Sequence, residues 1–224
     1  MDLSKSYDFF QPEKASARVH IIGCGSVGST LAENLVRCGI SKLTLWDFDK
    51  VGSHNLHNQM FYEKDIGKLK VEALKENLIM INPEVERNIV LKPDGWNGEM
   101  LSGYVFLAVD SIDIRREIVQ KHMNNMNVRA MFDFRTGLED AQHYAADWGS
   151  INMKQNLLNS MNFTQEEGLA STPVSACGVT LGVVTTVRLV CAVGVNNFIK
   201  FVKGEPMWKF CIVDGFRGYM DCFE

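Results

Sequence analysis

Apolar runs of strand length alternate with longer segments of helical periodicity over the first two thirds of the chain. "RVHIIGC" at 18–24 is apolar and β-branched, as a buried strand is, and a helical pattern from about Ser26 to Cys38 is stopped by Gly39. Further strands are predicted at 42–49, 86–92, 103–110, 129–137 and 140–148, and further helices at 66–81 and 114–125. The alternation predicts an α/β fold with a Rossmann-like, doubly wound, mostly parallel sheet.

The last third of the chain has a different pattern. Residues 150–176 are polar and weakly periodic, which predicts a crossover loop, with or without a short helix. Residues 178–202 predict a long apolar C-terminal helix, and residues 207–216 a late strand. The sequence therefore predicts a single domain over 1–224, with a core at about 18–137 and the crossover, helix and strand at about 138–224.

Composition narrows the class of protein. The 224 residues carry a net charge of −4 and no Lys/Arg-rich block, so nucleic-acid binding is not expected. The apolar stretch 179–195 is interrupted by threonines and Arg188, so we expect a buried core helix and no membrane partner. The six cysteines include no C-x-x-C pair, which predicts no zinc site and reduced thiols in a cytoplasmic compartment.

The loop after the first predicted strand is rich in glycine. Its sequence, G-C-G-S-V-G, contains Gly23, Gly25 and Gly28. Their expected roles are a tight turn, close backbone approach to a phosphate, and close packing of helix on strand. The helix that begins near Ser26 offers free N–H groups and partial positive charge to phosphates. Such a loop binds NAD, FAD or ATP, or forms a turn without a ligand, so alone it leaves the nucleotide open.

An acidic residue follows at the end of the second predicted strand. Asp47 stands about twenty positions after the glycine loop, where it can accept hydrogen bonds from ribose hydroxyls. Cys24, inside the loop, is interpreted as a small packing residue rather than a nucleophile. The loop and Asp47 together predict that the core at about 18–137 binds a nucleotide.

The segment that begins at Asp47 narrows the choice of nucleotide. "DFDKVGSHNLHNQMFYEKDIGKLK" followed by "INP" resembles the ThiF/MoeB/ubiquitin-activating-enzyme superfamily of adenylating enzymes, whose pattern is D-x-D-x-V-x-x-x-N-L-x-R-Q, D-I-G-x-x-K and I-N-P. The resemblance is strong over 18–85, moderate at "FLAVDSIDIRR" and weak beyond Gly149. It implies that the ligand is ATP rather than NAD. The matching residues are Asp47, Asp49, Val51, Asn55, Leu56, Gln59, Asp65, Ile66, Gly67, Lys70, Ile81, Asn82 and Pro83.

The resemblance also implies roles for individual residues. Asp47 should hold the ribose, and Asn55 and Lys70 should reach the triphosphate. Lys70 occupies the G-x-x-K position, whereas Lys68 does not, and a lysine there neutralises charge as the phosphate bonds reorganise. The implied nucleotide-binding set is completed by Gly23, Gly25, Ser26, Gly28, Asp49, Asn58 and Gln59.

A carboxylate for Mg²⁺ is implied after the buried strand at 103–110. Asp113, in "DSID", resembles the family aspartate that holds this ion, because a hard cation bridging phosphates needs such a ligand. Asp110, at the strand end, is the alternative and could instead cap the next helix. We favour Asp113 from the sequence, as both a catalytic residue and the magnesium ligand.

One position departs from the family pattern. The arginine of N-L-x-R-Q, which contacts ATP phosphates in the family, is Asn58 here, and asparagine carries no charge. A substitute cation could be Arg115, Arg116 or Arg135, or an arginine of a second subunit. The arginine-bearing N-terminal helix of the family also has no clear counterpart, since Arg18 lies at the strand itself.

The reaction implied by the resemblance joins a carboxylate to the α-phosphate of ATP, with Mg²⁺ and release of pyrophosphate. The expected partner is a small ubiquitin-like or sulfur-carrier protein with a C-terminal carboxylate, and the enzyme is expected to be a homodimer. Some family members pass the acyl group to a cysteine. Cys177, in "STPVSACGVTLG", precedes the long helix, whose N-terminus can lower a thiol pKa, but a packing cysteine explains it equally well.

Three other functions stay open at this point. The chain could adenylate a small-molecule or RNA-attached carboxylate. It could be a catalytically impaired nucleotide-binding partner, which Asn58 supports, or an NAD-dependent oxidoreductase, which requires the long motif to be coincidence.

Overall fold

Eight strands and six α-helices make up the described part of the chain. In this computed structural model residues 1–170 and 182–224 are described. The strands are β1 (Val19–Ile22), β2 (Leu43–Trp46), β3 (Val90–Lys92), β4 (Gly103–Leu107), β5 (Val128–Thr136), β6 (Asp140–Asp147), β7 (Phe210–Asp214) and β8 (Tyr219–Phe223). The helices are α1 (Ser26–Arg37), α2 (Lys70–Ile81), α3 (Ile112–His122), α4 (Ile151–Asn159), α5 (Gln165–Ala170) and α6 (Val184–Lys203).

The strands form one sheet in the order β3-β2-β1-β4-β5-β6-β7-β8. The pairs from β3 to β5 are parallel, and the pairs from β5 to β8 are antiparallel. After β1 the chain moves outward to β2 and β3, then returns to place β4 on the other side of β1. The strand order therefore reverses between β1 and β4, and in such sheets the crevice at the carboxyl ends of these strands is the usual ligand site.

Helices cover both faces of the sheet, because the parallel strands alternate their apolar side chains between the two faces. On one face Val19, Ile21 and Phe106 share a buried cluster with α1, α2 and α6. On the other face Val105 and Leu107 share a cluster with α3 and α4. The doubly wound, mostly parallel α/β fold predicted from the sequence is confirmed.

Helix α2 begins four residues later than its apolar spacing predicts. Residues 66–69 instead pair with the segment after β2: the Gly67 N–H donates to Val51 O (2.8 Å), and the Val51 N–H donates to Lys68 O (2.9 Å). Gly67 has φ +89°, a conformation that is costly for other residues and ends the preceding turn. This pairing puts Lys70 at the first position of α2, beside Asp49.

The described part of the crossover contains two helices, where the sequence predicted a loop with or without a short helix. Ser150 caps α4 by accepting a hydrogen bond from the Met153 N–H. Before α5, Thr164 and Glu167 exchange hydrogen bonds between side chain and backbone, which is the reciprocal capping box of a T-x-x-E sequence. Both caps are local signals that the weak apolar periodicity of this polar segment obscured.

The long apolar helix is α6. By length and composition alone it could cross a membrane, but half of its most apolar window is buried inside the protein. Val190, Cys191 and Phe198 are fully buried against the sheet and α1. The helix ends at Gly204, whose left-handed conformation (φ +75°) is typical of a C-terminal cap. The helix begins at Val184, after the extended N-cap Val183 (φ −105°, ψ 128°), so the start predicted at residue 178 was too early. Residue 178 itself lies outside the described residues.

The late strand predicted at 207–216 is β7, and β8 was not predicted. β8 is an edge strand whose residues are exposed or half-exposed, so it lacks the buried apolar run that marks the inner strands. Its register with β7, through the glycine-containing turn 215–218, is what makes it a strand.

Candidate functional site

The glycine loop lies at the carboxyl end of β1, where the strand order reverses. The Gly23 N–H donates to Trp46 O (2.8 Å), and the Ala108 N–H donates to Ile22 O (2.8 Å), so the loop is held between the ends of β2 and β4. Helix α1 follows at once, with Gly25 as its N-cap and with neither a side-chain cap nor an acidic residue in its first turn. Free N–H groups and the positive end of the helix dipole are therefore available to an anion.

Glycine occupies the three positions of the loop for different physical reasons. Gly23 has φ +93°, and a Cβ there would lie 2.8 Å from the carbonyl of Ala108. A Cβ on Gly28 would lie 1.8 Å from Gly23 O, which no neighbouring shift can absorb. Gly25 is the opposite case, because its Cβ position has no atom within 4 Å. Two glycines thus close the turn, and the third leaves open space on the side facing away from the chain.

Asp47 ties the glycine loop to the end of β2. Its Oδ2 accepts from the Cys24 N–H (2.7 Å) and its Oδ1 from the Asp49 N–H (2.8 Å). Each carboxylate oxygen can accept a further hydrogen bond, so the position still suits ribose hydroxyls. Cys24 is fully buried. Its burial is the main cause that raises the pKa of the thiol, and the negative charge of Asp47 raises that pKa further, as expected of a packing residue.

Lys70 is a buried cation at the start of α2. Its side chain is only 8% exposed, and its Nζ lies 2.9 Å from Asp49 Oδ2, which is 50% exposed. A buried charge needs such a partner. Lys68 points elsewhere and pairs with Glu76 at 2.5 Å, a contact that raises the pKa of Lys68. The structure therefore separates the two lysines as the sequence pattern did.

The polar residues of the N-L-x-R-Q segment lie between the glycine loop and α6. Asn55 is buried and accepts from the Gly52 N–H (2.8 Å) through Oδ1. The Asn58 amide donates to Gly182 O at the start of α6 (3.4 Å). Gln59 Oε1 is buried and has no hydrogen-bond partner within the described residues. Gln59 Oε1 is therefore one of the buried polar atoms that can accept a hydrogen bond from a further group.

Asp113 and Asp110 occupy different environments. The Asp113 side chain is 63% exposed, and its Oδ1 accepts from Arg116 Nη1 (2.6 Å), which draws it toward the crossover. Asp110 is exposed and follows Val109, whose backbone N would lie 2.9 Å from a Cβ on Gly23. Asp110, the alternative carboxylate, is therefore closer to the glycine loop along the chain, because it directly follows Val109.

The arginines considered as substitutes for the family arginine already have partners. Asp133, fully buried on β5, binds Arg115 Nη1 (2.6 Å) and Arg135 Nε (2.8 Å). Arg115 also donates to Val109 O (2.7 Å), which fixes the loop that carries Asp110. Arg116 donates to the carbonyls of the crossover. These arginines hold the fold around the site and are not free to contact a phosphate.

Arg188, on the second turn of α6, is a cation that the sequence analysis did not consider as a substitute for the family arginine. Its guanidinium contacts Met60 Sδ at 3.6 Å, one residue after Gln59, and it forms no ion pair with any described residue. Sequence offered no signal, because Arg188 is 130 positions beyond Asn58 and only the packing of α6 brings them near each other.

Cysteine and metal ligands are the remaining predicted groups. Cys177 lies outside the described residues. Cys191 is fully buried in the core, and its burial raises the pKa of the thiol. Over 1–170 and 182–224, no three His, Cys, Asp or Glu side chains are grouped to hold a metal ion. Mg²⁺ commonly uses one or two carboxylates together with substrate phosphates, so a single aspartate fits it.

Comparison with protein families gives one match over most of the chain. The model described as "ThiF family" matches residues 7–212.

Relatives with curated names match less than half of this chain. Ubiquitin-like modifier-activating enzyme 5 of Caenorhabditis briggsae is 38% identical over 108 residues, covering 42% of this chain and 25% of that protein. The tRNA threonylcarbamoyladenosine dehydratase of Haemophilus influenzae is 38% identical over 109 residues, covering 46% of this chain and 42% of that protein. The chain thus spans less than half of either relative.

Solved structures match nearly the whole chain at low identity. E. coli MccB with ATP has a TM-score of 0.72 and 19% identity, covering 94% of this chain and 65% of that one. PaaA has a TM-score of 0.74 and 17% identity, covering 95% and 74%. At such identity these structures support the fold alone.

Proposed function

Because the chain belongs to the ThiF family, we propose that it binds ATP at the glycine loop and adenylates a carboxylate with release of pyrophosphate. The observation that carries the proposal is the convergence of an uncapped helix N-terminus, Asp47 and the buried cation Lys70 at the ends of β1 and β2. The first two features also suit a dinucleotide dehydrogenase. Lys70, at the G-x-x-K position of the family pattern, is the feature that favours ATP.

The residues present fit ATP in three respects. The open space at Gly25 admits phosphate oxygens to the N–H groups of α1. Asp47 keeps acceptor capacity for the ribose, and the orphaned Gln59 Oε1 gains a partner from a bound ligand or its water. E. coli MccB, which shares the fold, has been solved with ATP.

Lys70 supplies charge at the triphosphate. Its ammonium is neutralised by Asp49, whose side chain is half exposed and can turn outward. When phosphate oxygens take the place of Asp49, the cation stabilises negative charge that moves toward the leaving pyrophosphate. A carboxylate acceptor is already nucleophilic, so positioning and charge neutralisation suffice and no general base is required.

We propose Asp110 as the carboxylate for Mg²⁺, with Asp113 as the other candidate. Mg²⁺, when bound, neutralises phosphate charge as a Lewis acid. Asp110 follows the strand end that touches the glycine loop, whereas Asp113 is engaged by Arg116. Arg188 is proposed to supply the positive charge that Asn58 lacks, since it stands beside the same segment and has no carboxylate partner among the described residues.

The acceptor is proposed to be the C-terminal carboxylate of a small ubiquitin-like or sulfur-carrier protein. The relatives named ubiquitin-like modifier-activating enzyme 5 support this class, and E. coli MccB has been solved together with MccA. The dehydratase relative supports a second candidate, a carboxylate attached to RNA, although the net charge of −4 does not favour it.

Exchange of labelled pyrophosphate into ATP tests the proposal. Wild-type protein should exchange label only when a suitable carboxylate acceptor is present, and Lys70→Ala should lose about 10²-fold or more of that rate. Lys68→Ala is the matched control and should retain exchange, because Lys68 pairs with Glu76 away from the loop. ATP binding without exchange for any acceptor would instead identify a nucleotide-binding partner that performs no chemistry.

A thioester step through Cys177 is proposed from the sequence alone. Cys177→Ala should still exchange pyrophosphate, because adenylation precedes transfer to a thiol. Wild type with its acceptor should give a conjugate on a denaturing gel that reducing agents cleave, and the variant should not. If wild type gives no such conjugate, the reaction ends at the adenylate.

A further inference from the structure

Two cysteines face each other across the terminal β-hairpin. Cys211 on β7 is the register partner of Cys222 on β8. Both are free thiols, Cys211 fully buried and Cys222 half-exposed on the edge strand. They belong to a small apolar cluster with Val193 and Val213, which is separate from the two main core clusters.

The hydrogen-bond pattern shows which kind of cross-strand pair they form. The Ala145 N–H on β6 donates to Lys209 O (3.0 Å), on the side of β7. His143, two residues earlier, directs its backbone groups to the same side and meets Cys211. Cys211 therefore directs its own backbone groups toward β6 and none toward Cys222.

The pair is thus of the non-hydrogen-bonded class, in which the side chains are closest. Opposite Cα atoms in such pairs are about 4.5 Å apart, within the range of about 4.4–6.8 Å that a disulfide spans. A disulfide between Cys211 and Cys222 is therefore compatible with the register of the two strands.

His143, the neighbouring residue that could activate the Cys211 thiol as a base, already has other hydrogen-bond partners. His143, which lies opposite Cys211, is occupied at both ring nitrogens, by Asp133 O (3.1 Å) and by the Asn197 amide (3.0 Å). Burial, and then contact with Cys222, raises the pKa of the Cys211 thiol. Cys211 is therefore not a primary nucleophile, and Cys222 is the thiol that solvent reagents reach.

We propose that Cys211 and Cys222 form a thiol–disulfide site that is oxidised by small disulfides of the glutathione type. The Cys222 thiolate attacks one sulfur of the oxidised glutathione, forming a mixed disulfide and releasing one glutathione thiolate. Cys211 then attacks the Cys222 sulfur of the mixed disulfide, its proton passing to the second glutathione as that thiolate leaves. Two thiols and one small disulfide become one protein disulfide and two small thiols.

Oxidation would fasten the edge strand to its neighbour. β8 has one paired side only and carries exposed Tyr219, Met220 and Phe223. A bond between Cys211 and Cys222 restrains the hairpin in the unfolded chain and prevents β8 from separating from β7. The oxidised protein should therefore show a higher Tm than the reduced protein, and dithiothreitol should reverse the change.

Peptide mapping tests the site directly. Trypsin cuts after Lys209 and Arg217, so it separates the two cysteines into peptides 210–217 and 218–224. After treatment of the full chain with oxidised glutathione and alkylation of free thiols, these peptides should appear linked. Cys38→Ser should retain the linked peptides, because Cys38 stands on another element, and Cys222→Ser should lose them.

A second variant traps the intermediate. Cys211→Val keeps an apolar side chain in the buried position and should stop the reaction at a glutathione adduct on peptide 218–224. The proposal is overturned if wild type stops at that same adduct, if both cysteines stay alkylated, or if either cysteine is linked to a different partner.

Discussion

Two alanine substitutions in the glycine loop are expected to have different effects, one on protein stability and the other on ATP binding. Gly28→Ala should destabilise the protein, because the new Cβ would lie 1.8 Å from Gly23 O. Gly25→Ala should fold normally, since nothing lies within 4 Å, yet weaken ATP by at least about tenfold, because the methyl fills the approach to the α1 N–H groups. Thermal unfolding and calorimetry with ATP measure the two effects. Tight ATP binding by Gly25→Ala would mean that the phosphates lie elsewhere.

Asp47 should matter for affinity as well as for the loop. Asp47→Ala removes acceptors for the ribose and for the Cys24 and Asp49 N–H groups, so ATP binding should weaken by roughly 1–3 kcal/mol. Calorimetry that gives unchanged affinity would contradict the assignment.

The two aspartates after β4 can be told apart by their dependence on Mg²⁺. Asp110→Asn should lose about 10²-fold of pyrophosphate exchange and require more Mg²⁺, whereas Asp113→Asn should stay close to wild type, because its carboxylate is held by Arg116. The measurement is the exchange rate over a Mg²⁺ titration. The reverse result would restore the assignment made from the sequence, with Asp113 as the magnesium ligand.

At the scale of elements, one buried charge cluster joins α3, β5 and the crossover. Asp133 binds Arg115 of α3 and Arg135 of its own strand, and Arg135 reaches the Ser160 carbonyl (2.8 Å) after α4. Asp133→Asn leaves buried positive charge uncompensated, so unfolding free energy should fall by about 3–5 kcal/mol. Urea unfolding measures it. Glu76→Gln, which breaks the exposed pair with Lys68, is the control and should cost at most about 1 kcal/mol.

At the scale of the whole molecule, buried histidines make stability depend on pH. Burial lowers the pKa of His20 and of His143 from 6.5 to about 4, and it also lowers the pKa of His122. The unfolded chain therefore binds more protons below about pH 6.5. Stability should be full above that pH and be lost as pH falls from 6.5 toward 4, by about 1.4 kcal/mol per pH unit for each of His20 and His143.

Urea unfolding at several pH values measures this slope. His143→Gln should reduce the dependence of the unfolding free energy on pH by the contribution of one histidine. This holds whatever the effect of the substitution on stability at neutral pH. A stability that does not change between about pH 7 and 5 would show that the buried rings are protonated in the folded protein.

The oligomeric state stays a prediction from the family resemblance. Light scattering at micromolar concentration should give twice the chain mass of 25.2 kDa. The long apolar helix α6 offers a surface to bury in such a dimer, but half of its apolar window is already buried within its own chain. A monomer mass would therefore mean that α6 serves only the core.

Sequence alone determined the features that nearby residues encode. The glycine loop and the existence of β1 and β2 follow from a local pattern, because turn geometry and strand-to-helix connections are local. The distinction between Lys70 and Lys68 came from the family resemblance, through the G-x-x-K position. The T-x-x-E cap of α5 was equally local and could have been found.

Tertiary structure decided what depends on distant segments meeting. The pairing of Asp133 with Arg115 removed that arginine from the candidates, the approach of α6 brought Arg188 to the Asn58 segment, and the register of β7 with β8 set Cys211 against Cys222. No periodicity predicts such contacts, because each depends on the order of strands in the sheet and on which helix covers them.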